Sequence, residues 1–127
     1  MTIDIFTLCD GVYCYEDKLT VIGVYDVLIR PNLTAAPVNI NIAAHITFGE
    51  DECGDNAIRI YGEDMESGAL VLDIKNNISI NKRENIGTGI LNVSLANVPV
   101  IFPRPGKYKF VLEIENKGKS EIILTVA

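Results

Sequence analysis

The chain has no tryptophan, a single histidine (His45), and three cysteines, Cys9, Cys14 and Cys53. Each shortage removes a class of function. Without tryptophan, an aromatic platform for carbohydrate has to be built from tyrosine. With one histidine, His-based zinc sites and most Ser-His or Cys-His relays would rest on His45 alone. An odd number of thiols in a chain of 127 residues, long enough to fold without staples, reads as free cysteine in a reducing compartment. Cys9 and Cys14 are not spaced as a Cys-x-x-Cys redox or zinc pair, and small buried or edge hydrophobes are their commoner fate.

Positive charge is also scarce. Against 17 acidic residues stand 11 basic ones, a formal net charge of -6. That balance opposes binding to nucleic acid or to an anionic membrane, both of which need clustered Lys and Arg. No apolar run approaches the ~18 residues of a membrane-spanning helix. The first ten residues carry Asp4 and Asp10 where a secretory leader would have a basic start and an apolar run, so with Met1 as the true start the expectation is a cytoplasmic protein. Gly87-Thr88-Gly89 lacks the helix and lysine of a phosphate cradle. The Asn-x-Ser/Thr triplets at Asn32, Asn77 and Asn92 are expected as chance matches in an Asn-rich chain.

What the chain does have is alternation. From Val38 to Phe48, the side chains of Val38, Ile40, Ile42, Ala44, Ile46 and Phe48 fall on one face of an extended strand, and Asn39, Asn41, Ala43, His45 and Thr47 on the other. A helix would scatter those apolar groups around its circumference. The same period recurs around Ile58 and Ile60, from Leu70 to Ile80, from Leu91 to Leu95, from Tyr108 to Ile114 and from Ile122 to Val126. Leu19 to Ile29 is apolar on both faces, which predicts a central strand covered on both sides. Glu16-Asp17-Lys18 and Asn116-Lys117-Gly118-Lys119 predict hairpin turns. Arg30 to Pro37 predicts a longer connection, and Glu50–Asn56 and Glu63–Gly68 predict acidic loops, the latter with room for one helical turn. Pro99, Pro103 and Pro105 argue against a regular central strand between Val98 and Gly106.

Many short strands with frequent turns predict an all-β fold: a single domain over residues 1–127, built as a two-sheet antiparallel β-sandwich of about eight strands, immunoglobulin-like or a related Greek key. The segment Pro105-Gly106-Lys107-Tyr108-Lys109-Phe110 resembles the tyrosine corner of immunoglobulin-like domains. More broadly, Leu8-Cys9-Asp10 leading by a hairpin into Lys18–Asp26, together with Phe102–Phe110, resembles a bacterial family of small β-sandwich proteins of unknown function. The resemblance implies a stand-alone bacterial domain and carries over no catalytic residue.

Candidate sites are few. Asn39, Asn41, His45 and Thr47 form either a solvated sheet face or a binding face. A general base at His45 would need a nucleophile that cannot be placed beside it from sequence. Asp51, Glu52 and Asp55 make an acidic surface suited to a basic partner; the loop misses the EF-hand pattern, and a solvated charge run is its plainer reading. Tyr13 and Tyr15 alternate in a hairpin and share a face, with burial in the core as the expectation. Lys107, Lys109, Glu113 and Glu115 read as charged protection of a face or edge. These observations favour a non-catalytic module that binds a protein partner, with a small-ligand or glycan-binding sandwich as the alternative and an enzyme third. No cofactor or metal is expected, and pairing of sheet edges leaves a homo-oligomer open.

Overall fold

The computed structural model describes residues 1–29 and 36–127. Among them are nine strands: β1 (Thr2–Tyr15), β2 (Lys18–Val24), β3 (Val27–Leu28), β4 (Val38–Phe48), β5 (Gly54–Asp64), β6 (Leu70–Ile80), β7 (Gly89–Val100), β8 (Gly106–Ile114) and β9 (Gly118–Val126). They form two packed sheets, one in the order β2-β1-β4-β7 and the other in the order β3-β9-β8-β5-β6. Every pairing is antiparallel except that of the short β3 with β9. The chain is an all-β, two-sheet sandwich. Most of the longer connection expected at Arg30 to Pro37, and the Asn32 triplet with it, lie outside the described residues.

The core sits where alternation places it. Ile40, Ile42, Ala44, Ile46 and Phe48 of β4 are fully buried and face Ile58 and Ile60 of β5 and Tyr108, Phe110, Leu112 and Ile114 of β8. Phe102, in the β7–β8 connection, packs edge-on against Tyr108, with centroids 4.9 Å apart and rings at 76°. Gly62 of β5 gives that ring cluster its room, since a Cβ there would come within 2.7 Å of Phe110. The Tyr108 hydroxyl donates to the carbonyl of Arg104 at 2.7 Å. Arg104 reaches back to Asp64, its Nε to Oδ2 at 2.8 Å and its terminal nitrogen to Oδ1 at 2.6 Å, and also pairs with Glu66. This clasp ties the β7–β8 connection to the end of β5.

Several expectations need correcting. The apolar stretch from Leu19 to Ile29 is not a central strand: β2 lies at the edge of its sheet, Ile22 and Val24 are exposed, and the chain breaks between β2 and β3 at Tyr25-Asp26. The proline expectation holds: Pro99 lies inside β7, but β7 is an edge strand that ends at Val100, so no central strand runs from Val98 to Gly106. The helical turn falls at Glu50–Glu52, as a 3₁₀ turn, while Met65–Ser67 is a plain turn. The charges of β8 protect a face, since β8 is flanked by β9 and β5.

One feature departs from a simple sandwich. Only the first half of β1, up to Cys9, pairs with β4, and the rest runs on with β2 as a hairpin arm. The arm bends back over the outer face of the first sheet. Thus β2 touches β4 and β7, neither of which is its neighbour in the sheet, and Asn92 of β7 donates to the carbonyl of Asp17 at the hairpin tip at 3.1 Å. Beneath the arm, Cys9, Val12 and Ala43 are buried as a second small core, joined by the half-buried Leu19 and Val21. At the bend Gly23 has φ +66°, and a Cβ there would lie 2.3 Å from an Asp10 carboxylate oxygen, so the turn over the sheet requires glycine.

Candidate functional site

The polar face expected along β4 is covered in large part by the arm. Asn41 is its anchor: Nδ2 donates to the carbonyls of Cys9 at 3.1 Å and Asp10 at 2.9 Å, and Oδ1 accepts from the Asn97 amide at 2.9 Å. Both ends of the side-chain amide therefore hold structure. His45 is half-buried, with Nδ1 2.5 Å from Asn92 Oδ1. Because Asn92 uses its Nδ2 on Asp17, its oxygen faces the ring and Nδ1 carries the proton. Nε2 lies 3.8 Å from Asp4 Oδ2, and the same carboxylate oxygen accepts from the Thr47 hydroxyl at 2.8 Å. The groups His45 meets are an amide and a carboxylate. Asn39 is exposed. The structure thus places these four residues on one face and commits Asn41, His45 and Thr47 to bonds within the chain.

The acidic surface divides in the same manner. Glu52 Oε1 takes the Met1 ammonium at 2.5 Å and the Gly49 amide at 2.9 Å, and those bonds, the ammonium first, hold its carboxyl below the usual range. Glu50 reaches Lys82 at 3.5 Å. Asp51, in the 3₁₀ turn, and Asp55, at the start of β5, are exposed. Of the three carboxylates expected to act together, two face solvent and one is a structural tie. The cysteines are dispersed: Cys9 is buried, with its thiol pushed up by that burial, Cys53 is half-buried, and Cys14 is exposed.

A third surface, weighed in the sequence as core, is open instead. On the arm Val12 and Leu19 point toward the sheet, so their alternating neighbours point away. Tyr13 is 61 % exposed and Tyr15 74 %, with Ile22 at 52 % and Val24 at 66 % farther along the arm. Tyr13 pairs across the hairpin with Thr20, and Tyr15 with Lys18. A Cβ on Gly11 would lie 3.9 Å from Tyr13 Cε2 and 4.0 Å from its hydroxyl, so the ring runs back along β1 over the glycine and offers a face to solvent. Neither hydroxyl has a hydrogen-bond partner among the described residues. The signal for this surface was in the chain, because Val12, Leu19 and Val21 share the opposite parity, but only the bend shows which parity is covered.

On the far sheet, Arg59 lies 4.2 Å over the ring of Tyr61 while its Nε and a terminal nitrogen donate to Asp73 at 2.9 and 3.2 Å. Beside it an open cleft of about 510 Å³ is lined by Arg59, Lys75, Asn76, Asn77, Glu113 and Glu115. It mixes both signs of charge. No helix among the described residues is long and apolar enough to cross a membrane.

No curated protein matches the chain. A family model described as a family of unknown function, DUF6941, matches residues 4–127. That span takes in the sandwich, the arm, Tyr108 and both exposed acidic positions, and the chain belongs to the DUF6941 family.

Proposed function

We propose that this chain is a non-catalytic interaction module that binds a protein partner, with the hairpin arm as its docking surface. One observation carries the reading. Tyr13, Tyr15 and Ile22 stand exposed on a rigidly backed arm, while the polar residues that chemistry would draw on are tied into the fold. Large apolar and aromatic groups held outward are what interface anchors require, and tyrosine is among the residues enriched there. The immunoglobulin-like architecture belongs to this proposal, supported by the bond from Tyr108 to Arg104. A bacterial origin and a cytoplasmic setting belong to it too, supported by the sequence resemblance and by three free thiols.

Affinity capture from the native host, with the chain as bait under gentle conditions, is expected to recover one partner in stoichiometric amount. Recovery of abundant background proteins alone would overturn the reading. A small-ligand or glycan-binding role is the second reading, favoured by the open cleft beside Arg59. Thermal-shift screening separates the two, because a ligand at a hundred times its dissociation constant stabilises by ~2.7 kcal/mol. A shift with a sugar or nucleotide and no captured partner would favour the cleft.

A further inference from the structure

The arm's outer face has a pattern that selects a partner. Tyr13 and Tyr15 sit two residues apart on one strand, roughly 6.6 Å along it, and both present ring to solvent. Next to them the turn is made of two carboxylates, Glu16 and Asp17, and both residues are exposed. From Asp10 to Asp26 the arm and its root carry four carboxylates, Asp10, Glu16, Asp17 and Asp26, against the one ammonium of Lys18. An apolar surface rimmed by negative charge is complementary to a cation that also has a flat, weakly hydrated body.

The molecule contains the completed form of this arrangement. On the far sheet Arg59 lies over Tyr61 and forks onto Asp73, so tyrosine, guanidinium and carboxylate satisfy one another. The arm has the tyrosines and the carboxylates and lacks the guanidinium. We infer that the hairpin arm takes an arginine-bearing extended polypeptide segment, whose guanidinium planes stack on Tyr13 and Tyr15 while their N–H groups donate to Glu16 and Asp17. Arginine is preferred over lysine because its planar group stacks and forks at once, where an ammonium does neither. The cross-strand neighbours Thr20 and Lys18 border the same face. This inference rests on the reading of the chain as a protein-binding module.

The probe is a short synthetic peptide alternating arginine with serine, with lysine–serine and glutamate–serine versions beside it, followed by fluorescence anisotropy at physiological salt. The arginine peptide is expected to bind, the lysine peptide several-fold more weakly, and the glutamate peptide not at all. Tyr13→Ala with Tyr15→Ala is expected to weaken the arginine peptide roughly ten-fold, from loss of two exposed cation–π contacts. Glu16→Asn with Asp17→Gly removes both charges while supplying the residues this turn favours, and is expected to weaken binding and flatten its salt dependence. Equal binding of the arginine and lysine peptides, untouched by the tyrosine variant, would mean plain charge attraction and would overturn the inference. So would a thermal shift with linear oligosaccharides that the tyrosine variant abolishes, which would assign the face to sugar. A partner captured equally by the wild-type chain and the tyrosine variant would overturn this inference and leave the module reading standing. No captured partner and no bound peptide would overturn both.

Discussion

At the scale of single residues, a few side chains hold junctions that the sheets alone would not. Tyr108→Phe removes a buried hydroxyl and leaves the Arg104 carbonyl without its partner, and is expected to destabilise by about 1–2 kcal/mol in urea denaturation. Gly62→Ala drives a methyl into Phe110 in a ring cluster that has no room to give, with an expected cost of about 1–3 kcal/mol by the same measurement. The Arg104 guanidinium beside Asp64, with the Glu66 amide, holds the Asp64 carboxyl well below the usual carboxylate range. Asp73, forked by Arg59, and Glu52, on the Met1 ammonium, shift the same way. A carboxyl whose pKa is lower folded than unfolded stabilises fully above its unfolded value of about 4 and loses that contribution as pH falls further. Melting temperature is therefore expected to drop as pH is lowered through and below about 4, and Asp64→Asn to be less stable at neutral pH with a shallower acid limb. An unchanged acid limb in that variant would remove Asp64 from the account.

At the scale of elements, the bent hairpin is the part with the most to test. Asn41→Ala cuts the bonds to Cys9 and Asp10 and the tie to Asn97 together. It is expected to cost about 1–3 kcal/mol and to speed amide hydrogen exchange in the arm more than in β5 or β8. Uniform acceleration over both sheets would show that the arm is not a separate unit. The hairpin turn is a second handle. Glu16 and Asp17 both adopt positive φ, 50° and 61°, a geometry that favours Asn-Gly, so Glu16→Asn with Asp17→Gly is expected to stabilise by up to about 1 kcal/mol. The same elements show what was legible from sequence. Val38–Phe48 was readable to the residue because one face is apolar throughout and the other nearly all polar. The stretch after Leu19 misled because Leu19 and Val21 are covered by a fold-back of their own hairpin, which in sequence looks the same as coverage by two layers. Tyr13 and Tyr15 were expected inside from the usual partial burial of tyrosine, whereas the arm holds them outward. The parity of a two-sided strand is decided by a bend at Gly23, and a single glycine carries no label for bend direction. Asn41, His45 and Thr47 were correctly placed together on a face, yet their partners Asn92, Asn97 and Asp4 come from distant segments that no local pattern connects.

At the scale of the whole molecule, the pairings join remote parts of the chain: β1 with β4, β4 with β7, β5 with β8. Closure entropy has to be met before such contacts form, so refolding is expected on the millisecond-to-second scale rather than in microseconds, as read by stopped-flow tyrosine fluorescence. The continuity of β1 has another consequence. Its sheet-bound half and its projecting half are one unbroken strand, nailed at the root by Asn41 and at the far end by Asn92. Such a limb has no loop to hinge on. Whatever docks there meets a surface whose disorder was surrendered when the chain folded, so association need not be taxed again for stiffening it.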